Sequence, residues 1–124
     1  MATLGLAGFL PCFVPCARRC RRFRFRNEFV NNLPEEEFKK RYRFRKESIQ
    51  FISELLTEDL ERETNRNKAL SPFAQVLIFL RYVSSGGFME VIGDTVGVDK
   101  STVSRVVHLV AESLCRRRNQ FIKW

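Results

Sequence analysis

The stretch "GDTVGVDKSTVSR", residues 93–105, decides how the second half of this chain is interpreted. Gly97 separates two short segments with apolar patterns, and Asp99 stands where a second helix would begin. Apolar residues then recur at spacings of three and four, at Val103, Val106, Val107, Val110 and Leu114. That period is typical of one buried helical face, and Asp is a favoured residue at a helix start. The stretch therefore predicts two helices that meet at Gly97, the second capped by Asp99.

The second predicted helix has a polar face opposite its apolar one. At about 100° per residue, Ser101, Arg105 and His108 lie opposite the valines, with Ser104 on the flank. Small polar residues beside one arginine would let such a helix approach base edges in a DNA major groove.

The two ends of this face are expected to behave differently. Lys100 and Thr102 lie at the helix start, where they are expected to hold phosphates with help from the positive end of the helix. Glu112 lies further along the face and would repel phosphate. We therefore expect DNA contact to end about two turns into the helix.

The spacing of the whole segment resembles a helix-turn-helix, which we predict within residues 88–117. Gly93, a small residue, lies four positions before the turn glycine. The apolar positions that the motif requires are filled by Ile92, Val96, Val98, Val103 and Val106. The alternative is an ordinary corner between two helices with a glycine turn.

The residues before this segment also predict helices. "LPEEEFKKRY" has acids first and bases last, as the helix dipole favours, and "KESIQFISELL" carries one apolar stripe. Ser71-Pro72 signals the start of a mostly buried helix over 72–85, which Gly86-Gly87 ends. "TEDLERETNRNKA" is expected to be a polar connection with at most a short helical turn. We predict an all-α fold, a small domain of four to five helices over residues 31–124.

The N-terminal residues have a different composition. The net charge is +8, and residues 1–26 hold six arginines and no acid. Cys12, Cys16 and Cys20 have no zinc-site spacing, and the apolar run before them lacks the preceding positive charge of a signal peptide. Residues 1–30 are expected to be a flexible Arg/Cys-rich tail with reduced thiols. A basic tail permits nucleic-acid or acidic-membrane binding without demonstrating either.

Two segments interleave basic residues with aromatic ones, "RRCRRFRFR" and "KKRYRFRK". Arginines can bind phosphates, and aromatic rings can stack on exposed bases. The favoured interpretations are plainer. The first is expected to be a solvated tail, in which a nuclear import signal is conceivable. The second is expected to be a helix end where Tyr42 and Phe44 pack inward.

A wider set of residues resembles a known family. "ALSPFAQVLIFLRYVSSGGFMEVIGDTVGVDKSTVSRVVHLVAESL", followed by "FIKW", is similar to the N-terminal region of PIF/Harbinger-type transposases and their domesticated nuclease relatives. The similarity extends back through "LPEEEFKKRYRFRKESIQFISELL", covering roughly residues 33–124. The resemblance implies a helical DNA-binding region ahead of a DDE nuclease domain, whose three carboxylates hold divalent metals. In the family that catalytic region begins shortly after the position of Trp124, so no catalytic or metal-binding residue maps onto this chain.

These observations lead to one functional expectation and two alternatives. We expect a DNA-binding module without catalysis of its own, whose candidate contacts are Lys100, Ser101, Thr102, Ser104, Arg105 and His108. Its partner is double-stranded DNA in the nucleus, with no cofactor, small-molecule substrate or membrane. One alternative is an assembly surface for a Myb-like DNA-binding partner. The other is a truncated part of a metal-dependent DDE nuclease.

Overall fold

The computed structural model describes residues 30, 32–64 and 69–123, and within them every regular element is a helix. Five helices have eight residues or more and two are single turns: α1 (Glu35–Tyr42), α2 (Lys46–Leu55), α3 (Thr57–Leu60), α4 (Pro72–Ser85), α5 (Met89–Val96), α6 (Lys100–Arg116) and α7 (Arg118–Phe121). The predicted all-α class is confirmed, and the two single turns account for the difference from four to five helices. Apart from Val30, the predicted tail over 1–30 lies outside the described residues.

Helix α4 is the central element, in contact with α1, α2, α3, α5 and α6. It begins as the sequence predicts, because the Ser71 hydroxyl accepts a hydrogen bond from the Ala74 amide at 3.3 Å. It ends at Gly86, whose φ of 58° is the left-handed conformation that glycine adopts most easily. Val76 and Ile78 are almost fully buried, so the prediction of a mostly buried helix is confirmed.

Helices α1 and α2 cover one side of α4. Phe38 and Tyr42 are buried, with ring centroids 4.7 Å apart. The end of α1 is hydrogen-bonded to α4, since the Ser84 hydroxyl donates to the Arg41 carbonyl at 2.9 Å. Phe44 contradicts the sequence expectation: it is 43% exposed. The chain turns at Arg43, which has a φ of 66°, and the turn leaves the next side chain on the surface.

The predicted apolar stripe of α2 is confirmed in its main members. Ile49 and Leu56 are fully buried, and Ile52 and Leu55 are partly buried. Leu56 lies one residue beyond the helix, at its C-terminal cap. The polar connection after it starts with the single turn α3, as the sequence allows.

Two polar side chains, Gln75 and Arg117, hold the connection between α3 and α4. The buried Gln75 side chain donates from Nε2 to the carbonyls of Leu60, at 3.1 Å, and Leu70, at 2.9 Å. Arg117, at the end of α6, donates to the Asp59 carboxylate at 2.8 Å. Both side chains of this ion pair are mostly shielded from solvent. Gln75 of α4 therefore holds both ends of the connection, and Arg117 at the end of α6 holds α3.

The burial of Tyr42 predicts an alkaline dependence of stability. Burial raises the pKa of its phenol above the usual value, and the positive charges of Arg81 and Arg41 oppose this effect only in part. Because the pKa of Tyr42 is raised only in the folded state, its contribution to stability is fully present at pH values below the pKa of the unfolded chain. That contribution is lost as the pH rises through the pKa of the folded state. We expect the free energy of unfolding to fall more steeply above about pH 10 in the wild type than in Tyr42→Phe.

Urea denaturation at a series of alkaline pH values measures this difference. Tyr82→Phe, which removes a phenol from the partly buried end of α4, is the matched control. Parallel stability curves for the wild type and Tyr42→Phe would contradict the prediction.

Candidate nucleic-acid interface

Helices α5 and α6 meet at Gly97, as the sequence predicts. Gly97 has a φ of 82°, which a side chain would disfavour. Its amide and that of Val98 both donate to the Gly93 carbonyl, at 2.7 and 2.9 Å. These two bonds close the end of α5 and direct the chain into the start of α6.

Gly93 is needed because the two helices approach each other closely there. A Cβ atom on Gly93 would lie 2.6 Å from the Val98 carbonyl oxygen and 3.5 Å from a Val103 methyl. The first distance is too short for any side chain, and the neighbouring atom is backbone, which cannot rotate away. The small residue four positions before the turn therefore has a steric reason in this structure.

The apolar face of α6 holds the helix against the core. Val103, Val106 and Val110 are buried, and this part of the predicted stripe is confirmed. Val107 and Leu114 are partly buried. The stripe also contains a polar member, Ser113, whose hydroxyl is satisfied by donating to the Leu109 carbonyl at 2.9 Å. This burial fixes which residues of α6 face solvent.

The residues predicted to contact DNA lie on the surface of α6. Lys100, Ser101, Ser104, Arg105 and His108 are exposed, and Thr102 is partly buried. From Ser101 to His108 the exposed face extends about 10 Å along the helix. Within the described residues, no ion pair engages Lys100 or Arg105. The first two turns of α6 thus present small polar groups and two basic side chains to solvent.

Asp99 occupies the N-terminal cap position of α6, but its side chain does not cap the helix. Its carboxylate instead accepts a hydrogen bond from the Ser101 hydroxyl at 2.7 Å. The predicted cap position is confirmed, while the hydrogen bond of the Asp99 side chain is made with the Ser101 hydroxyl and not with a backbone amide. The Asp99 carbonyl accepts from the Val103 amide at 3.1 Å and begins the helical pattern. Ser101 must give up its bond to Asp99 before it can donate to another group.

Charges near the end of α6 are largely paired. Glu112, predicted to repel phosphate, forms an ion pair with Arg116 at 2.7 Å. Arg117 is engaged by Asp59. The repulsion expected from Glu112 is therefore partly offset by a neighbouring cation.

The helix pair carries no net charge. Residues 88–117 contain four acidic and four basic side chains, and two of the acids, Asp94 and Asp99, are exposed near the turn. Outside residues 1–26 and 39–46 the chain has ten basic and fourteen acidic side chains. The net positive charge of the protein thus comes from these two segments.

An exposed apolar group at the start of α5 was missed by the sequence analysis. Phe88 is 82% exposed and Val91, three residues later on the same side of the helix, is 58% exposed. The sequence analysis assigned no role to either residue, although the spacing in "FMEV" places them on one side of a helix. Both residues lie on the helix that precedes the candidate DNA-contacting helix.

The described residues lack two further features, a metal site and a membrane-spanning helix. No three His, Cys, Asp or Glu side chains lie close enough together in residues 30, 32–64 and 69–123 to hold a metal ion. In the same ranges no helix is long and apolar enough to cross a membrane.

Comparisons with known proteins find relatives of a single kind. No family model matches the chain, and no solved structure matches it. The human protein named "Putative nuclease HARBI1" is 36% identical over 95 residues, which are 77% of this chain and 27% of the relative. The mouse protein of that name is 37% identical over 93 residues, 75% of this chain and 27% of its own length. The Xenopus laevis protein is 37% identical over 83 residues, 67% of this chain and 24% of its own length. The chain spans about a quarter of the length of these curated relatives.

The close approach at Gly93 predicts that Gly93→Ala destabilises the fold. The new methyl group must displace the Val98 carbonyl, and we expect a loss of about 1–3 kcal/mol in the free energy of unfolding. Thermal or urea denaturation measures it.

Gly87→Ala is the matched control. Its Cβ would meet only the Ser85 side chain, with the hydroxyl oxygen at 3.2 Å. Equal stabilities of the two variants would contradict the steric role of Gly93.

Proposed function

We propose that this chain, which belongs to the Harbinger-derived nuclease family, binds double-stranded DNA by inserting the exposed face of α6 into a major groove. The observation that carries the proposal is the division of α6 into a buried valine face and an exposed face of small polar groups with Arg105. Such a helix can approach base edges without steric obstruction.

Each exposed residue has a distinct role in the proposal. Arg105 lies near the centre of the exposed face and provides the base contact, for which guanine offers two acceptors in the major groove. Ser104 and His108 flank it, and Ser101 joins them after it exchanges its bond with Asp99. Lys100 and Thr102 contact phosphate at the start of the helix.

The helix pair cannot supply the electrostatic part of binding by itself. Phosphate contacts by Lys and Arg dominate the affinity of most DNA-binding proteins, and residues 88–117 have no net charge. In this proposal α6 provides sequence preference, while the six arginines of residues 1–26 provide much of the nonspecific attraction.

Replacing Arg105 with alanine tests the base contact. A preferred sequence is first selected from a random duplex library with the wild-type protein. On that site we expect Arg105→Ala to lose about 1–3 kcal/mol of binding free energy and to discriminate less between sites. Fluorescence anisotropy with the selected and a scrambled duplex measures both effects.

Arg116→Ala is the matched control, because it removes an exposed arginine of the same helix that is already paired with Glu112. An Arg105→Ala protein with unchanged affinity and preference would contradict the proposal.

The second candidate function is a surface for protein assembly. Phe88 and Val91 expose apolar side chains on α5, and such groups are common where a partner protein binds. The neutral charge of the helix pair also favours this alternative. Its partner would be a Myb-like DNA-binding protein that supplies most of the DNA affinity.

A salt titration separates the two functions. If the chain itself holds DNA, the logarithm of the association constant falls steeply with the logarithm of salt concentration. If assembly dominates, the isolated chain does not bind duplex DNA even at low salt. In that case Phe88→Ser with Val91→Ser abolishes association with a Myb-like partner, which analytical ultracentrifugation measures.

The catalytic activity of the family is a separate question. The relatives are named nucleases, and the matched residues make up 27% of the human protein. We propose that the segment corresponding to this chain contributes binding and does not cut DNA by itself. The same proposal puts the protein in the nucleus, where a fluorescent fusion should be found.

A further inference from the structure

We propose that the basic segment joining α1 and α2 is a second nucleic-acid site, specific for single strands, in which Phe44 and Phe51 stack on unpaired bases. The site is distinct from the exposed face of α6. It lies on the turn between α1 and α2 and on the outer side of α2.

The charge of this segment is unusually concentrated. Residues 39–46 contain six basic side chains and no acid. Lys39, Lys40, Arg43 and Arg45 are exposed, and in the described residues no ion pair neutralises them. A phosphodiester backbone is the polyanion that such a group of cations would attract.

The remaining two basic residues of the segment take part in contacts that hold the fold. Lys46 donates to the Leu33 carbonyl at 3.0 Å and lies 5.4 Å from the centre of the Phe38 ring. Arg41 is half-buried, and its carbonyl accepts the bonds from α4. The proposed site therefore uses only the four outer cations.

Two aromatic rings lie beside these cations. Phe44 and Phe51 line one open groove together with Glu47, Ser48 and Ile52. Phe51 is 61% exposed although it belongs to a helix that packs on the core. The groove thus presents two aromatic rings to solvent beside the polar side chains of Glu47 and Ser48. Arg43 and Arg45 flank Phe44 in the sequence.

The rings determine which form of nucleic acid fits. Bases in a duplex are stacked on each other and are not accessible to a side-chain ring, whereas bases of a single strand are. Stacking does not depend on base identity, so the site should be tolerant of sequence. Glu47 is the one acid that lines the groove, and its charge would repel a phosphate placed next to it.

The test uses the full chain with labelled oligothymidylate of twenty nucleotides and with an abasic strand of equal length. The abasic strand has the same phosphates and no bases. We expect the wild type to bind oligothymidylate about tenfold or more tightly than the abasic strand. Phe44→Leu with Phe51→Leu should remove most of this difference while leaving the affinity for the abasic strand unchanged.

Two controls separate the site from other parts of the chain. Phe88→Leu with Phe121→Leu removes two rings that are also exposed and should not change either affinity. Lys40→Gln with Arg45→Gln should lower the slope of log affinity against log salt by about 1.4. Arg118→Gln with Lys123→Gln, which removes two exposed cations elsewhere, should not.

Some results would overturn the proposal. Equal wild-type affinity for both strands would show that only phosphates are bound. Unchanged oligothymidylate affinity in Phe44→Leu with Phe51→Leu would show that the bases stack elsewhere. Arg105→Ala leaves this site intact, so the α6 proposal and this one can fail separately.

Discussion

The contact between Gly93 and the Val98 carbonyl is the constraint on which the candidate DNA-contacting surface depends. It brings the end of α5 against the start of α6 at a distance that permits no side chain. Because the Gly93 carbonyl also receives the amides of Gly97 and Val98, one residue sets both the separation and the direction of the two helices. The rotation of α6 about its axis is then decided by Val103, which packs beside the same glycine. That rotation exposes the polar residues proposed to contact DNA, except Thr102, which is partly buried.

Helix α4 has a different function in the architecture, since it lies at the centre of one hydrophobic core. It contacts both the α1–α2 side and the α5–α6 side. The proposed duplex site and the proposed single-strand site therefore belong to elements that pack on one buried helix. The two sites also differ in their chemistry. The duplex site has few charges and a helical surface of small polar side chains. The single-strand site has four exposed cations and two aromatic rings.

Much of the fold was predictable from local sequence signals, because those signals have local physical causes. Ser71-Pro72 begins α4, Gly86 and Gly97 end helices, and the period of the valines defines the buried face of α6. Local rules predicted the position of a cap better than the partner of its side chain. Asp99 stands at the cap of α6, but its carboxylate accepts a hydrogen bond from the Ser101 hydroxyl and none from a backbone amide.

The exposure of aromatic residues was less predictable, for a reason that is not local. Phe44, Phe51 and Phe88 are apolar, and composition alone favours burying them. Whether such a residue is buried depends on which neighbouring helix covers it, and that is decided by the tertiary arrangement. The positive φ of Arg43 illustrates this, since neither residue type nor period indicated a left-handed turn before Phe44. The candidate contacts on α6 were easier to predict because their exposure follows from one helical period.

Gln75 shows how this fold can accept change over evolutionary time. The side-chain amide of Gln75 donates to the carbonyls of Leu60 and Leu70. A residue of α4 therefore holds both ends of the connection that joins these two leucines. The entropy of closing a loop grows only slowly with its length when its ends are held in this way. Insertions or deletions between these two leucines would then leave the core and both proposed surfaces in place.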